Sequence, residues 1–225
     1  MKFQTLFALL CSLTTNALCA EDGFVPLFSK DGAPEGFVVR HWADVSQPPK
    51  DAAEWKVENG VLTSVGARGC WLVSEKEYGD FVLEYEFKLG AKGNSGCALR
   101  APLSGDPAFD GMEMQMADFR YNPNAKDSEL TGGIYRAVAP AKQIYRPEEW
   151  NTVRIELTGP KLKATLNGET IQDIDLSTFD QTVLRHDGKP APALKDRPKR
   201  GHIGFQELSR DGSHVLIRGA RVLEK

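Results

Sequence analysis

Phe81-Val82-Leu83-Glu84-Tyr85-Glu86-Phe87-Lys88-Leu89 is the stretch that decides the fold. Every odd position is apolar, and the even ones are mostly charged. Successive side chains of an extended chain point to opposite faces, so this alternation describes a half-buried strand with a solvated outer face. Thr152 to Leu157 repeats the pattern, and Lys161 to Leu166 repeats it with the parity reversed. Asn167-Gly168 marks a tight hairpin turn, because both central residues of that turn take positive φ. Asn59-Gly60 does the same between Trp55-Lys56-Val57 and Val61-Leu62-Thr63. Further strands are expected at Val25–Phe28, Gly36–His41, Trp71–Ser74, Ser95–Ala101, Gly111–Ala117, Gly133–Ala139, Gly201–Gln206 and His214–Leu223. No long window has a helical period. Many short strands punctuated by Gly, Pro and Asn imply an all-β sandwich or barrel. No repeat or linker divides residues 21–225, which read as one domain.

Outside the strands, the first twenty residues read as a targeting segment. Lys2 supplies a short positive region, and Phe3 to Leu13 is apolar but too short to span a bilayer. Ala17-Leu18-Cys19-Ala20 offers small residues to a signal peptidase, with the cut after Cys19 or Ala20 left open. The expectation is a periplasmic or secreted protein with no membrane span. With 28 Lys and Arg against 31 Asp and Glu, the charge gives no case for nucleic acid or an anionic membrane surface. Cys70 and Cys97 follow the signal; they either pair in an oxidising compartment or stand as buried thiols. Two segments resist strand assignment, Asp118 to Gly132 and Ser177 to Arg200. Each is long for a connection inside a compact domain, and reads either as a functional lid or as a solvated excursion.

What each strand shows on its non-core side separates two kinds of face. The strands at 81–89, 152–157 and 161–166 show Glu, Arg, Lys and Thr, as ordinary solvated faces do. In four others that side combines small residues with Arg100, Glu113, Gln115, Tyr135, His202 and Gln206, and contains no Lys. Small residues leave a hollow, and planar polar groups projecting into it suit a hydroxyl-rich ligand. Each residue has a plainer alternative: Arg100 pairing with Glu113 across strands, Gln115 and Gln206 as satisfied amides, His202 as a surface or core histidine, Tyr135 as packing. The Met112, Met114, Met116 stripe reads as core. The glycine-rich loop Gly90 to Gly96 lacks phosphate-loop spacing and enters a strand, which argues against phosphate binding.

Gly93-Asn94-Ser95-Gly96-Cys97-Ala98-Leu99-Arg100-Ala101-Pro102, Gly105-Asp106-Pro107-Ala108-Phe109 and Gly111-Met112-Glu113-Met114-Gln115 resemble the 3-keto-disaccharide hydrolase family. The likeness continues through Thr131-Gly132-Gly133-Ile134-Tyr135, Glu149-Trp150-Asn151-Thr152 and Gly201-His202-Ile203-Gly204-Phe205-Gln206. It covers nearly all of the chain after the signal. The resemblance implies a concanavalin-like jelly-roll β-sandwich of two antiparallel sheets and action on sugars oxidised at carbon 3. Members often carry Gln-Asp-His where this chain has Gln206-Glu207-Leu208, a departure that puts any histidine-dependent role there in doubt, although His202 and His214 lie nearby in sequence.

A ketone at carbon 3 acidifies the hydrogen on carbon 2. A base removes it, the glycosidic oxygen leaves by elimination, and water added later completes a net hydrolysis. Glu113 is the expected base, with Arg100 and His202 stabilising the enolate. Gln115, Tyr135, Gln206 and Asp118 are the expected substrate-binding residues. No cofactor is called for with certainty; a divalent metal held by Glu113, Asp118 or His202 is the alternative electrophile, although no metal-spaced cluster is visible. Glu113-x-Gln115-x-x-Asp118 is reminiscent of the laminarinase-like Glu-x-Asp-x-x-Glu pattern but lacks its central acid. The alternative from another class is a non-catalytic carbohydrate-binding module, because fold does not decide function. The expected partner is a small carbohydrate; oligomeric state is not legible.

Overall fold

A computed structural model describes residues 23–225, so the signal segment read at residues 1–20 lies outside the described residues. The chain forms β1 (Val25–Pro26), β2 (Phe37–His41), β3 (Ala53–Glu58), β4 (Val61–Gly66), β5 (Cys70–Tyr78), β6 (Phe81–Lys88) and β7 (Asn94–Ala101). After a single helical turn, α1 (Pro107–Asp110), come β8 (Met112–Ala117), β9 (Asn151–Thr158), β10 (Lys161–Leu166), β11 (Glu169–Asp175), β12 (Gly201–Glu207) and β13 (Leu216–Glu224). One sheet has eight strands in the order β11-β10-β9-β6-β13-β4-β3, with β1 paired to β13; the other has five, β2-β5-β12-β7-β8. All strand pairs are antiparallel. The two sheets make a concanavalin-like jelly-roll sandwich.

The apolar residues of the period-two strands meet in one cluster drawn from both sheets. Phe81, Leu83, Tyr85 and Phe87 of β6 face Cys97 and Leu99 of β7, the Met112, Met114, Met116 stripe of β8, and Ile203 and Phe205 of β12. Burying a side chain of this size stabilises a fold by about 1.5–3 kcal/mol. The hairpins fall where Asn-Gly sits: Asn59 and Gly60 have φ of 53° and 74°, Asn167 and Gly168 of 50° and 84°. Cys70 and Cys97 are both buried free thiols. They stand on β5 and β7, and β12 runs between those strands. Two strand spacings of about 4.8 Å each exceed the span a disulfide bridges. Among the described residues no helix is long and apolar enough to cross a membrane.

One expected strand is absent. Gly133–Ala139 is a tight turn in which Ile134 and Val138 exchange both backbone hydrogen bonds and Arg136 takes a φ of 59°. Before turning, it runs along β8: Gln115 N donates to Gly133 O, and Tyr135 N donates to Glu113 O. The five-stranded sheet is unusual in burying both faces, with every residue of β7, β8 and β12 buried. Its second face is covered by Val45, by α1 and by Ala191, and beneath them a hollow remains.

Candidate active site

The hollow begins with residues that have little or no side chain. The register sets Ala98 opposite Glu113, Gly96 opposite Gln115, and Gly204 opposite Ala98. Glu113 leans across Gly96, where an added Cβ would come within 1.8 Å of Oε1. The resulting cleft has a volume of about 390 Å³. Glu113, Gln115, Tyr135 and Gln206, which the strand parity singled out, all line it. Trp42, Arg68, Asn94, Asp106, Tyr121 and His186 also line it.

Glu113 is 2% exposed, and its Oε1 has no hydrogen-bond partner among the described residues. Burial, and then the nearby Asp106 carboxylate, pushes its carboxyl well above the usual glutamate range. Asp106 caps α1: its Oδ1 accepts from Ala108 N at 3.0 Å, with Pro107 at the first helical position. Burial outweighs that hydrogen bond and raises Asp106 to about 6. Both carboxyls thus line one partly dry cleft, and burial is the main cause that disfavours the charged form of each.

The remaining lining is polar or aromatic. Gln115 Oε1 accepts from Met116 N at 2.9 Å, which fixes the amide and leaves its NH2 toward the cleft. Asn94 Oδ1 is buried without a partner among the described residues. The backbone of Trp42 is held by Gly69 O and by the Trp71 indole, while its ring meets His186 edge-on at 5.5 Å. Arg68 donates to Tyr121 Oη at 3.0 Å and to Leu208 O, and Arg210 lies 4.4 Å over the Tyr121 ring.

Three expected site residues are used elsewhere. Arg100 does not reach the cleft. Between the pairs His202↔Ala101 and Gly204↔Ala98, β7 has two residues and β12 has one. This bulge, with Arg100 at a φ of 50°, breaks the alternation and sends Arg100 to the other side of the sheet. There it bonds Gly79 O, Gly159 O and Asp80, not Glu113. His202 lies at the same irregularity, with Nδ1 2.7 Å from Ser74 O and Nε2 3.6 Å from Glu77. Asp118 borders a smaller side cavity of about 100 Å³. Burial alone would raise its carboxyl, but bonds from Arg120 and Tyr145 hold it below the usual range. Glu113, Asp118 and His202 therefore do not converge on a metal, and among the described residues no three His, Cys, Asp or Glu side chains do.

Sequence reasoning passed over Asp106, Trp42 and His186. Gly105-Asp106-Pro107 carries a legible helix-cap signature, although nothing in it says that the helix borders a site. Trp42 directly follows an expected strand. Tyr121 and His186 come from the two long segments, each of which folds over the cleft mouth.

A family model described as a 3-keto-alpha-glucoside-1,2-lyase-like domain matches residues 23–222. A proposed glycosyl hydrolase from Parabacteroides distasonis is 25% identical, with 90% of this chain and 99% of that chain covered and a TM-score of 0.70. A second from the same organism is 23% identical over 90% of this chain and 94% of that one, with a TM-score of 0.67. LamAcat from Zobellia galactanivorans, 11% identical over 91% and 98% of the two chains at a TM-score of 0.51, shares the fold. No curated protein matches. The family and the first relative make this a glycosyl-hydrolase-like jelly-roll domain.

Proposed function

The chain belongs to the 3-keto-alpha-glucoside-1,2-lyase-like domain family, and from that premise we propose that it cleaves 3-keto-glucosides or 3-keto-disaccharides by elimination across C1 and C2. The observation that carries the proposal is the carboxyl pair, Glu113 and Asp106, set in one cleft with pKa values pushed upward together.

The elimination needs a base and an acid at once, and a pair holding one proton supplies both. The proton rests on Glu113, so Asp106 becomes the base and Glu113 the acid; the base role expected for Glu113 passes to its neighbour. The Asp106 carboxylate takes the hydrogen on C2, and its electron pair forms the enolate of the C3 ketone. Collapse of the enolate restores the ketone, forms C1=C2 and breaks C1–O1, while Glu113 gives its proton to O1. Water then adds to C1, with a proton to C2, giving net hydrolysis. Gln115, Tyr135 and Gln206 orient sugar hydroxyls, and Trp42 offers a ring face. The signal segment read in residues 1–20 would put this reaction in the periplasm or outside the cell.

Product analysis by NMR tests the proposal. The mature protein is given a 3-keto-disaccharide or its unoxidised parent, each with and without chelator. Cleavage of the keto sugar alone is expected. Cleavage of neither, with binding retained, would instead support a carbohydrate-binding module; loss with chelator would require a metal. D106N should abolish exchange of the C2 hydrogen with solvent, whereas E113Q should keep exchange and lose cleavage. The reverse pattern would exchange their roles.

A further inference from the structure

His186 enters the cleft from a small hairpin inside the long segment after β11. Ala191 N donates to Val183 O and Arg185 N donates to Lys189 O, both at 2.8 Å, and Gly188 turns the tip with a φ of 81°. The imidazole packs among Phe109 at 5.3 Å, Trp42 at 5.5 Å and Tyr135 at 5.9 Å between ring centroids. These rings fix its plane, yet its nitrogens make no hydrogen bond among the described residues. It lines the main cleft and, with Asp106, an adjoining cavity of about 260 Å³.

The hairpin is tied to the rest of the site through one carboxylate. Arg185 grips both oxygens of Asp110. Asp110 Oδ2, which accepts from Arg185 Nη1 at 2.8 Å, also accepts from Asp106 N at 2.9 Å. Gly105 makes room for this arrangement, since an added Cβ there would come within 2.2 Å of that oxygen. A bidentate arginine–carboxylate pair fixes direction as well as distance. The group carrying His186 and the backbone of Asp106 are therefore referenced to a single atom.

The elimination leaves one role unfilled now that Arg100 and His202 lie outside the cleft: a donor for the oxygen on C3 as it takes negative charge. We propose that His186 is that catalytic residue, donating an N–H to the C3 oxygen of the developing enolate, and that Asp110 and Arg185 are positioning residues for His186 and Asp106 together. This rests on the elimination reading above. Burial first, and then the charge of Arg136, lowers the His186 pKa, so the ring is neutral at pH 7 and carries one N–H donor. A neutral imidazole suits an enolate because it stabilises the charge without first surrendering a full proton. The electron count is unchanged: the C2 proton goes to Asp106, the charge on O3 is held by His186 and then returned, and O1 leaves with the proton of Glu113.

The test uses the full mature protein and a 3-keto-disaccharide, with each variant's thermal midpoint recorded. H186A should lower kcat about 10²–10³-fold, the cost of removing one oxyanion donor, with KM changed little. Exchange of the C2 hydrogen should fall in parallel, and a nitrophenol leaving group should not rescue it, whereas it should rescue E113Q. R185A should lower exchange and kcat in the same proportion, with R185K recovering little because it restores charge but not the fork. H186F, which keeps a ring in the aromatic packing but has no donor, serves if H186A does not fold. Wild-type exchange and kcat in H186A or H186F would overturn the assignment. Absence of cleavage in the wild-type protein would instead overturn the elimination reading, and the two failures are distinct.

Discussion

Glu113 and Asp106 sit in surroundings that oppose their charge. Both pKa values are raised, Asp106 to about 6. Below that pH both carboxyls hold protons and the base is lost, so kcat/KM should fall as pH drops through about 6. The upper limb should come where Glu113 loses its proton. Stability runs the other way. An acid whose folded pKa exceeds its unfolded value, here 3.8 for Asp106, favours the fold at low pH. That contribution should be lost as pH rises from about 4 to 6, at about 1.4 kcal/mol for each pH unit crossed between the unfolded and folded values. D106N, which retains a good helix cap, should remove the activity altogether and flatten the stability slope. Urea unfolding across pH 4–8 reads the second; slopes equal to wild type would mean Asp106 is not raised.

Among the elements, two glycine positions separate local conformation from packing. Gly60 sits at the hairpin tip with a φ of 74° and nothing within 4 Å of an added Cβ. Gly60→Ala should cost about 1 kcal/mol, the strain of a left-handed residue, and leave activity alone. Gly96 has no such backbone demand, but a Cβ there would collide with the Glu113 carboxyl. Gly96→Ala should displace Glu113 and remove cleavage with a smaller effect on the hairpins and core. Urea midpoints and kcat measured on both variants check this; the same activity loss in both would remove the special place given to Gly96. The Met stripe shows how faithfully alternation works in a strand free of bulges: Met112, Met114 and Met116 join the core between the sheets, while Glu113 and Gln115 line the cleft.

At the scale of the whole molecule, Arg100 holds the two sheets together at one end. From β7 of the five-stranded sheet it reaches Gly79 O and Asp80, which precede β6, and Gly159 O between β9 and β10 of the other sheet. Its side chain is 2% exposed, but that of Asp80 is 39% exposed, so the ion pair is partly screened. Arg100→Met should destabilise by about 2–3 kcal/mol, mainly by orphaning those acceptors, less than a fully buried pair would cost. The folded fraction should keep wild-type kcat, because Arg100 is remote from the chemistry. A kcat loss of tenfold or more in folded R100M would return Arg100 to the catalytic set.

The sequence by itself determined most of the strands, though not β11 or the turn at 133–139, and with them the inward faces and the polar character of the second face of one sheet. Alternation and Asn-Gly turns are local properties, legible without knowing the neighbours. It also nominated Glu113, Gln115, Tyr135 and Gln206, because parity holds along β8 and the end of β12, and because Tyr135 is hydrogen-bonded to β8 before its segment turns. Only the tertiary structure decided the rest. The bulge that turns Arg100 away is a mismatch between two strands distant in sequence, invisible in either alone. Asp106 and His186 join Glu113 because α1 and a hairpin from the last long loop fold over the same sheet face. Cys70 and Cys97 stay apart because β12, which begins more than 100 residues after Cys97, inserts between their strands. Each of these depends on long-range packing, where the free energy belongs to the contact between segments and to neither segment's own sequence.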